Sequence, residues 1–227
     1  MENIDYVEEK YMPDSIEDVD ILNAHKLKDK CIFRIELENN AHGTGFLCKL
    51  PFGGKNKLLP VLITNNHVIN QNIIDNSKII IRKDNRQEYF LYFNEEHQRR
   101  FYTEDKEMND ITIIEILHED NIEYDSFLEV EDNYHLEEPN KVYQNSKVYA
   151  IHFPKENKAS LTTGIIEKIE ENEIFHSCST EAGSSGCPIL TLYTNKIIGI
   201  HKGYKTMKNF GIFIKSCFII RDKNYIH

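Results

Sequence analysis

Leu58-Leu59-Pro60-Val61-Leu62-Ile63-Thr64-Asn65-Asn66-His67-Val68-Ile69 is an uncharged, mostly apolar run that ends on two amides and presents a histidine. Branched and aromatic residues dominate it, which favours a strand over a helix. Working outward, the same composition recurs in CIFRIELE from Cys31, GTGFLCKL from Gly43, SKIIIR from Ser77, QEYFLYF from Gln87 and ITIIEIL from Ile111. Turn-forming residues punctuate these runs at Gly53-Gly54-Lys55-Asn56 and Lys83-Asp84-Asn85-Arg86. A second series follows: SKVYAIHFP from Ser146, SLTTGIIEKI from Ser160, EIFHSCST from Glu173, CPILTLY from Cys187, KIIGIHKG from Lys196 and FGIFI from Phe210. Two groups of about six short strands predict an all-β chain of two packed six-stranded antiparallel β-barrels, an arrangement that removes exposed edges. The first barrel is expected over about residues 29–118 and the second over about 140–227. The acidic stretch between Leu117 and Asn140 bridges them, and the tail from about Lys215 to Ile226 closes as a short helix. Residues 1–28, polar and acidic, read as an extension ahead of a domain spanning 29–227.

Composition sets limits on function. The 227 residues suffice for one large domain or two small subdomains. A net charge of -10 disfavours nucleic-acid and anionic-membrane partners, because counterion release needs a basic surface. No stretch reaches the length of a membrane span, and the acidic start lacks the basic and apolar regions of a signal peptide. The five cysteines form an odd set without a CxxC pair, so reduced thiols in a cytoplasmic protein are expected. His176 and Cys178 are types that ligate zinc, but no second pair stands at ligand spacing, so neither a metal nor another cofactor is expected.

Three local patterns supply the parts that amide hydrolysis by serine requires: a hydroxyl nucleophile, a base and oxyanion donors. They are the strand ending in His67, the carboxylate of Asn109-Asp110-Ile111-Thr112-Ile113-Ile114 at the mouth of an apolar strand, and Ala182-Gly183-Ser184-Ser185-Gly186-Cys187-Pro188-Ile189. Small residues around Ser185 let the backbone turn tightly. Taken singly each is weak; a strand-end histidine, a capping aspartate and a serine-glycine loop are all common.

In order and spacing they resemble the trypsin-like peptidases, whose triad runs His, Asp, Ser along the chain. GTGF resembles the strand before the family histidine, TNNHV its TxxHV segment, NDITII its NDI(A/T)LL segment, GSSGCP its GxSGGP, and GIHKG at Gly199–Gly203 its cleft-lining strand. The resemblance implies His67 as general base, Asp110 as its orienting carboxylate, Ser185 as nucleophile, and the Gly183 and Ser185 N–H groups as oxyanion hole. Two departures stand out. Ser184 replaces the aspartate that pairs with a new N-terminus in secreted members, so activation by cleavage is not expected. Cys187 replaces the second glycine.

Thr180, five residues before Ser185, and His201 in GIHKG resemble the pocket of glutamyl endopeptidases and picornavirus-type main proteases. That likeness implies Thr180, His201 and Gly203 as substrate-binding residues for a polypeptide with Gln or Glu before the cut. An ordinary imidazole at His201 would then raise the Glu/Gln preference as pH falls. Tyr204, where those relatives have glycine, is expected to narrow the cleft. The competing readings are a trypsin-like module that has lost catalysis and binds peptides, and a non-peptidase hydrolase using the same triad.

Overall fold

A computed structural model describes residues 18–37, 42–51, 57–75, 78–123, 125–132, 137–155 and 158–217. The strands of the first half are β1 (Ile32–Glu36), β2 (His42–Pro51), β3 (Leu58–Thr64), β4 (Lys78–Arg82), β5 (Glu88–Tyr92), β6 (Phe101–Glu104) and β7 (Ile111–Glu115). They form a seven-stranded sheet in the order β5-β4-β1-β2-β3-β7-β6. The runs are nearly continuous in apolar residues because both faces are covered. Phe33, Ile35, Leu47, Leu62 and Ile114 pack into the sheet's own core. Their alternates Ile32, Phe46, Cys48, Val61 and Ile63 join a cluster with Tyr149, Ile151 and Ile200 of the second half.

Six strands were expected here, and the seventh is β6. It pairs only with β7, so the sheet curls without closing a hydrogen-bonded ladder between β5 and β6. Side chains span that gap instead. Arg99, which is buried, donates to Tyr92 O at 3.0 Å and to Glu115 O at 2.6 Å, and makes two 2.7 Å bonds to Asp120. Phe93 and Phe101 meet edge to face with centroids 5.9 Å apart.

The second half is β8 (Lys147–His152), β9 (Ser160–Glu170), β10 (Glu173–His176), β11 (Pro188–Thr191), β12 (Ile197–Lys205) and β13 (Lys208–Phe213). They close a barrel in the order β10-β13-β12-β11-β8-β9, as expected. Val148, Ala150, Ile166, Ile174, Ile189, Ile198 and Phe213 fill it, with Cys178 and Cys187 among them.

The acidic bridge is stitched to both halves. Leu128 pairs with Cys48 of β2, and Val130 pairs with Ile197 of β12. Ahead of β1, Asp18–Cys31 forms helix α1, which takes up the last part of the extension expected over residues 1–28; residues 1–17 lie outside the described residues. Ala24 and Cys31 on it are buried, and Lys28 and Lys30 in its last turn suit the negative end of the helix. Residues 215–217 are helical; the remainder of the expected C-terminal helix lies outside the described residues.

Candidate active site

β3 and β7 lie side by side with Thr64 opposite Thr112, so the segment leaving β3 meets the segment entering β7. There Asp110 holds His67 twice. Its Oδ1 accepts the His67 backbone N–H at 2.9 Å, and its Oδ2 accepts from the ring Nδ1 at 2.8 Å. A carboxylate only accepts, so Nδ1 carries the proton and Nε2 is left as the basic nitrogen. Asp110 is fully buried and adopts φ +53°, a left-handed conformation that Asp tolerates better than most residues. Its backbone is pinned too. The Asp110 carbonyl accepts from Asn65 Nδ2 at 3.1 Å and from Asn66 N–H at 3.2 Å, while its own N–H donates to Asp105 O at 3.0 Å.

Sequence reasoning missed Lys202. β12 breaks register between His201 and Gly203, and the Lys202 ammonium lies 3.8 Å from Asp110 Oδ2 while donating to Lys106 O at 2.8 Å. A lysine directly after the histidine of a buried strand was the available signal.

Ser185 sits on the turn before β11. Its carbonyl accepts Thr44 N–H of β2 at 2.9 Å. The Thr44 hydroxyl donates to Gly183 O at 2.7 Å and accepts Phe153 N–H at 3.0 Å. Thr44 thus ties the first sheet to the Ser185 turn, a role that GTGF hides in sequence. Gly186, at φ +87°, must be glycine, because a Cβ there would lie 2.2 Å from both Thr44 O and Thr64 Oγ1. Gly183, at φ +95°, is equally confined: its Cβ would meet His42 Nε2 at 2.3 Å and Phe153 O at 2.5 Å. Within the turn, Ser184 N–H donates to Glu181 O, Gly186 N–H to His201 O and Cys187 N–H to Ser184 O. Gly183 N–H and Ser185 N–H have no acceptor among the described residues. The Ser185 hydroxyl makes no hydrogen bond to His67 among the described residues; such bonds are often long before substrate binds.

Ser184 is fully buried. Its oxygen accepts Glu181 N–H at 3.0 Å and lies 2.6 Å from His152 Nδ1; His152 Nε2 is sealed without a partner, so the imidazole proton belongs on Nδ1, donated to Ser184. Burial lowers the pKa of His152 below its ordinary value, which keeps the ring neutral. The turn therefore has a buried partner within the chain at Ser184, the position where the sequence resemblance lacks its aspartate.

The expected pocket residues are also placed. His201 is buried, and its Nδ1 lies 3.1 Å from Nε2 of buried His176. His176 Nδ1 is sealed without a partner. If the proton of His176 were on Nδ1 it would be an orphaned donor, so the proton belongs on Nε2, donated to His201. His201 then carries its own proton on Nε2, which has no partner among the described residues. Burial, and then the neighbouring His176, push the His201 pKa well below its ordinary value; burial likewise brings His176 down to about 4. The sequence expectation of an ordinary imidazole at His201 is thereby corrected: desolvation keeps it neutral. Thr180 donates its hydroxyl proton to Asn209 Oδ1 at 2.7 Å, and Asn209 is oriented by its Nδ2 bond to Cys178 O at 2.8 Å. Thr180 Oγ1 thus retains lone pairs to accept. Gly203 leaves open space, with only Phe210 within 3.8 Å of a built Cβ. Tyr204 is 63% exposed and turns its hydroxyl toward Met207 Sδ at 3.7 Å.

His176 and Cys178 do not converge. The Cys178 thiol points to Val148 O at 3.9 Å, and burial pushes its pKa up to about 12. All five cysteines are free and buried. Among the described residues no three His, Cys, Asp or Glu side chains gather as a metal site, and no helix is long and apolar enough to cross a membrane.

Against known proteins, the solved serine endoprotease from Yersinia pestis is similar in fold, with TM-score 0.64 and 17% identity over 93% of this chain and 67% of that one. Deg5 is similar with TM-score 0.62 and 19% identity, over 90% of this chain and 93% of its own. No curated protein matches the chain. The family model described as trypsin-like peptidase domain matches residues 43–200, which hold β2 through β11 and the expected triad. The chain belongs to the trypsin-like peptidase family.

Proposed function

We propose that the protein is a serine endopeptidase in which Ser185 is the nucleophile, His67 the general base and Asp110 its orienting partner, cutting preferentially after Gln. The observation that carries the catalytic part is the double grip of buried Asp110 on His67, beside a turn with unoccupied N–H groups at Gly183 and Ser185. Ser185 Oγ attacks the scissile carbonyl while His67 Nε2 takes its proton and later passes it to the departing amine. The two N–H groups receive the oxyanion, each contributing a few kcal/mol in the transition state. Ser184 and His152 hold the turn in place, so the full-length chain is active without trimming.

The preference for Gln follows from hydrogen-bond polarity. His201 Nε2 offers a donor and Thr180 Oγ1 an acceptor, which together match the C=O and NH₂ of a primary amide. A Glu carboxylate, an acceptor only, would oppose the Thr180 lone pairs and would lack a charged imidazole. The test is a fluorophosphonate probe on full-length protein, confirmed intact by mass spectrometry. Labelling at Ser185 together with cleavage of a Gln-containing peptide is expected. An unlabelled protein would be a peptide-binding module, and labelling without peptide cleavage would point to another hydrolase.

A further inference from the structure

Beyond Thr44, on the side of the nucleophile turn away from His201, lies a recess of about 460 Å³ lined by Arg34, Arg82, Lys83, Arg86, Lys158 and Phe153. In a chain of net charge -10 such a cluster of cations stands out. Its two carboxylates are already engaged. Glu88 bonds Arg82, and Asp84 takes Lys28 at 2.9 Å and the Ala159 N–H at 2.8 Å. Glu36 also bonds Arg82 and reaches Arg34 Nε only at 3.5 Å. Lys83 is buried beneath Phe33 and Tyr89, with its ammonium 5.9 and 5.5 Å from the ring centroids. The Arg86 and Lys158 side chains are exposed and form no hydrogen bond or close ion pair among the described residues, although Lys158 is near enough to act by charge on the Asp84 carboxylate. Arg34 Nε and Nη1 are sealed without a hydrogen bond. Lys83 reaches Glu123 at 4.0 Å, so the head groups left without a close partner, and open to a ligand at the rim, are those of Arg86 and Lys158.

Its position relates it to the site. Phe153, on its wall, accepts from His42 Nε2 at 3.2 Å and lies against Gly183. Arg34 pairs with Thr44 across β1 and β2, and with Arg82 across β1 and β4. Ser185 is flanked by Thr44 on this side and, through Gly186, by His201 on the other. Thr44 itself is buried, but the row Thr44, Arg34, Arg82 crosses β2, β1 and β4 away from the Ser185 turn, so residues after the cut that follow the surface over these strands reach the recess. Successive strands are about 4.8 Å apart, so Arg82 is roughly 10 Å beyond Thr44, about three residues of extended chain at about 3.3 Å each. The Lys83–Gln87 turn bearing Arg86 lies farther along.

We infer that this recess is a second recognition site for acidic side chains from about the third residue after the cut onward, which makes polypeptides acidic downstream of the cleaved bond the favoured substrate class. The inference rests on the peptidase reading above. Carboxylates there meet Arg86, Lys158 and the edge of Arg34, and opposite charge across such a contact raises both encounter rate and selectivity.

Paired peptides test it, identical through a Gln cut site and carrying Asp or Asn at the third to fifth positions after it. At low salt the Asp peptide should show about 5- to 10-fold higher kcat/KM, and the gain should fade as ionic strength screens the charges. In the Arg86→Gln, Lys158→Gln double variant the ratio should fall to within about 2-fold, with the Asn peptide unaffected. Equal rates for the two peptides, or a ratio unchanged in the double variant, overturn the recess while leaving the peptidase reading intact. If neither peptide is cut, that reading fails, and the recess is judged by fluorescence anisotropy of the labelled Asp peptide on the full chain. Binding several-fold weaker in the double variant supports it, and equal affinity for Asp and Asn peptides overturns it. Inorganic phosphate that displaces the probe at equal ionic strength, without any rate gain from the Asp peptide, marks a small-anion site and contradicts the peptide assignment.

Discussion

In the first sheet, His67 and Asp110 are held by a carboxylate that bonds both the ring and the backbone of its partner, with two asparagines pinning the carboxylate's own backbone. In the barrel, Ser185 is held by glycines without room for a Cβ and by a chain of buried polar contacts through Thr44, Ser184 and His152. One half fixes its group by charge-assisted hydrogen bonds; the other fixes it by backbone shape and neutral imidazoles. The first should fail chemically when its carboxylate is changed, leaving the fold intact. The second should be sensitive to acid, because its histidines are stable only while unprotonated.

The largest expected effects break both halves directly. Ser185→Ala should lower kcat by about 10⁴ to 10⁶ with an unchanged circular-dichroism spectrum and melting temperature. Asp110→Asn should cost about 10⁴ in kcat, since an amide donating to Nδ1 would put the imidazole proton on the wrong nitrogen. Steady-state kinetics on a Gln peptide check both; more than a few per cent residual activity in Ser185→Ala would remove it from the nucleophile's place.

Next comes the pocket. His201→Ala should lose about 30- to 1000-fold of the preference for Gln over an apolar residue before the cut, because a site built for a polar side chain is left with unpaired groups. In the native protein, Gln should be preferred to Glu throughout, and the Glu/Gln ratio of kcat/KM should stay flat between about pH 8 and 5.5, where a neutral imidazole persists. Using the ratio cancels the titration common to both substrates. A ratio that climbs through that window would restore the ordinary imidazole read from sequence.

Those expectations show what the sequence disclosed and what it could not. The strands were legible because residues such as Val61, Leu62 and Ile63 are covered on both faces, which leaves an apolar run for any reader. Phe101–Glu104 escaped because it is short, half-buried throughout and follows Gln98-Arg99-Arg100. Helix α1 escaped because Ala24, Leu27 and Cys31 make only a narrow apolar stripe among charges. His67, Asp110 and Ser185 each lie in a recognisable local pattern. The roles of Thr44, Asn65, His152, His176, Asn209 and Lys202 are not legible that way, even where the residue stands in GTGF, TNNHV or GIHKG, since their contacts join residues far apart in the chain. The state of His201 was unreadable for the same reason: desolvation and a second imidazole come only with the closed barrel.

Acid stability sharpens the contrast. Burial depresses the pKa values of His152, His176 and His201, so below about pH 6.5 the unfolded chain takes up protons that the folded chain refuses. Their contribution is fully present above that pH and is lost as pH falls toward about 4, the value for His176. Denaturation followed at pH 7 and pH 4.5 should show a loss of a few kcal/mol, reduced in His176→Phe. Equal acid sensitivity in that variant would assign the loss elsewhere. The smallest effect is expected for Lys202→Met, about 2- to 5-fold in kcat with KM unchanged and partial recovery in Lys202→Arg. The effect is small because Lys202 sits 3.8 Å from Asp110 Oδ2 while its ammonium donates to Lys106 O, and Asp110 keeps its two bonds to His67 without it.

The central claim is that one hydroxyl in the barrel, served by one imidazole on the sheet, cuts peptide bonds after Gln. Mass-spectrometric mapping of a peptide library incubated with the full-length protein and with Ser185→Ala tests it most directly. The account predicts new C-termini dominated by Gln with the native protein and none above background with the variant. Cuts of the same pattern in both samples, or cuts after Lys, Arg or large apolar residues alone, would contradict it.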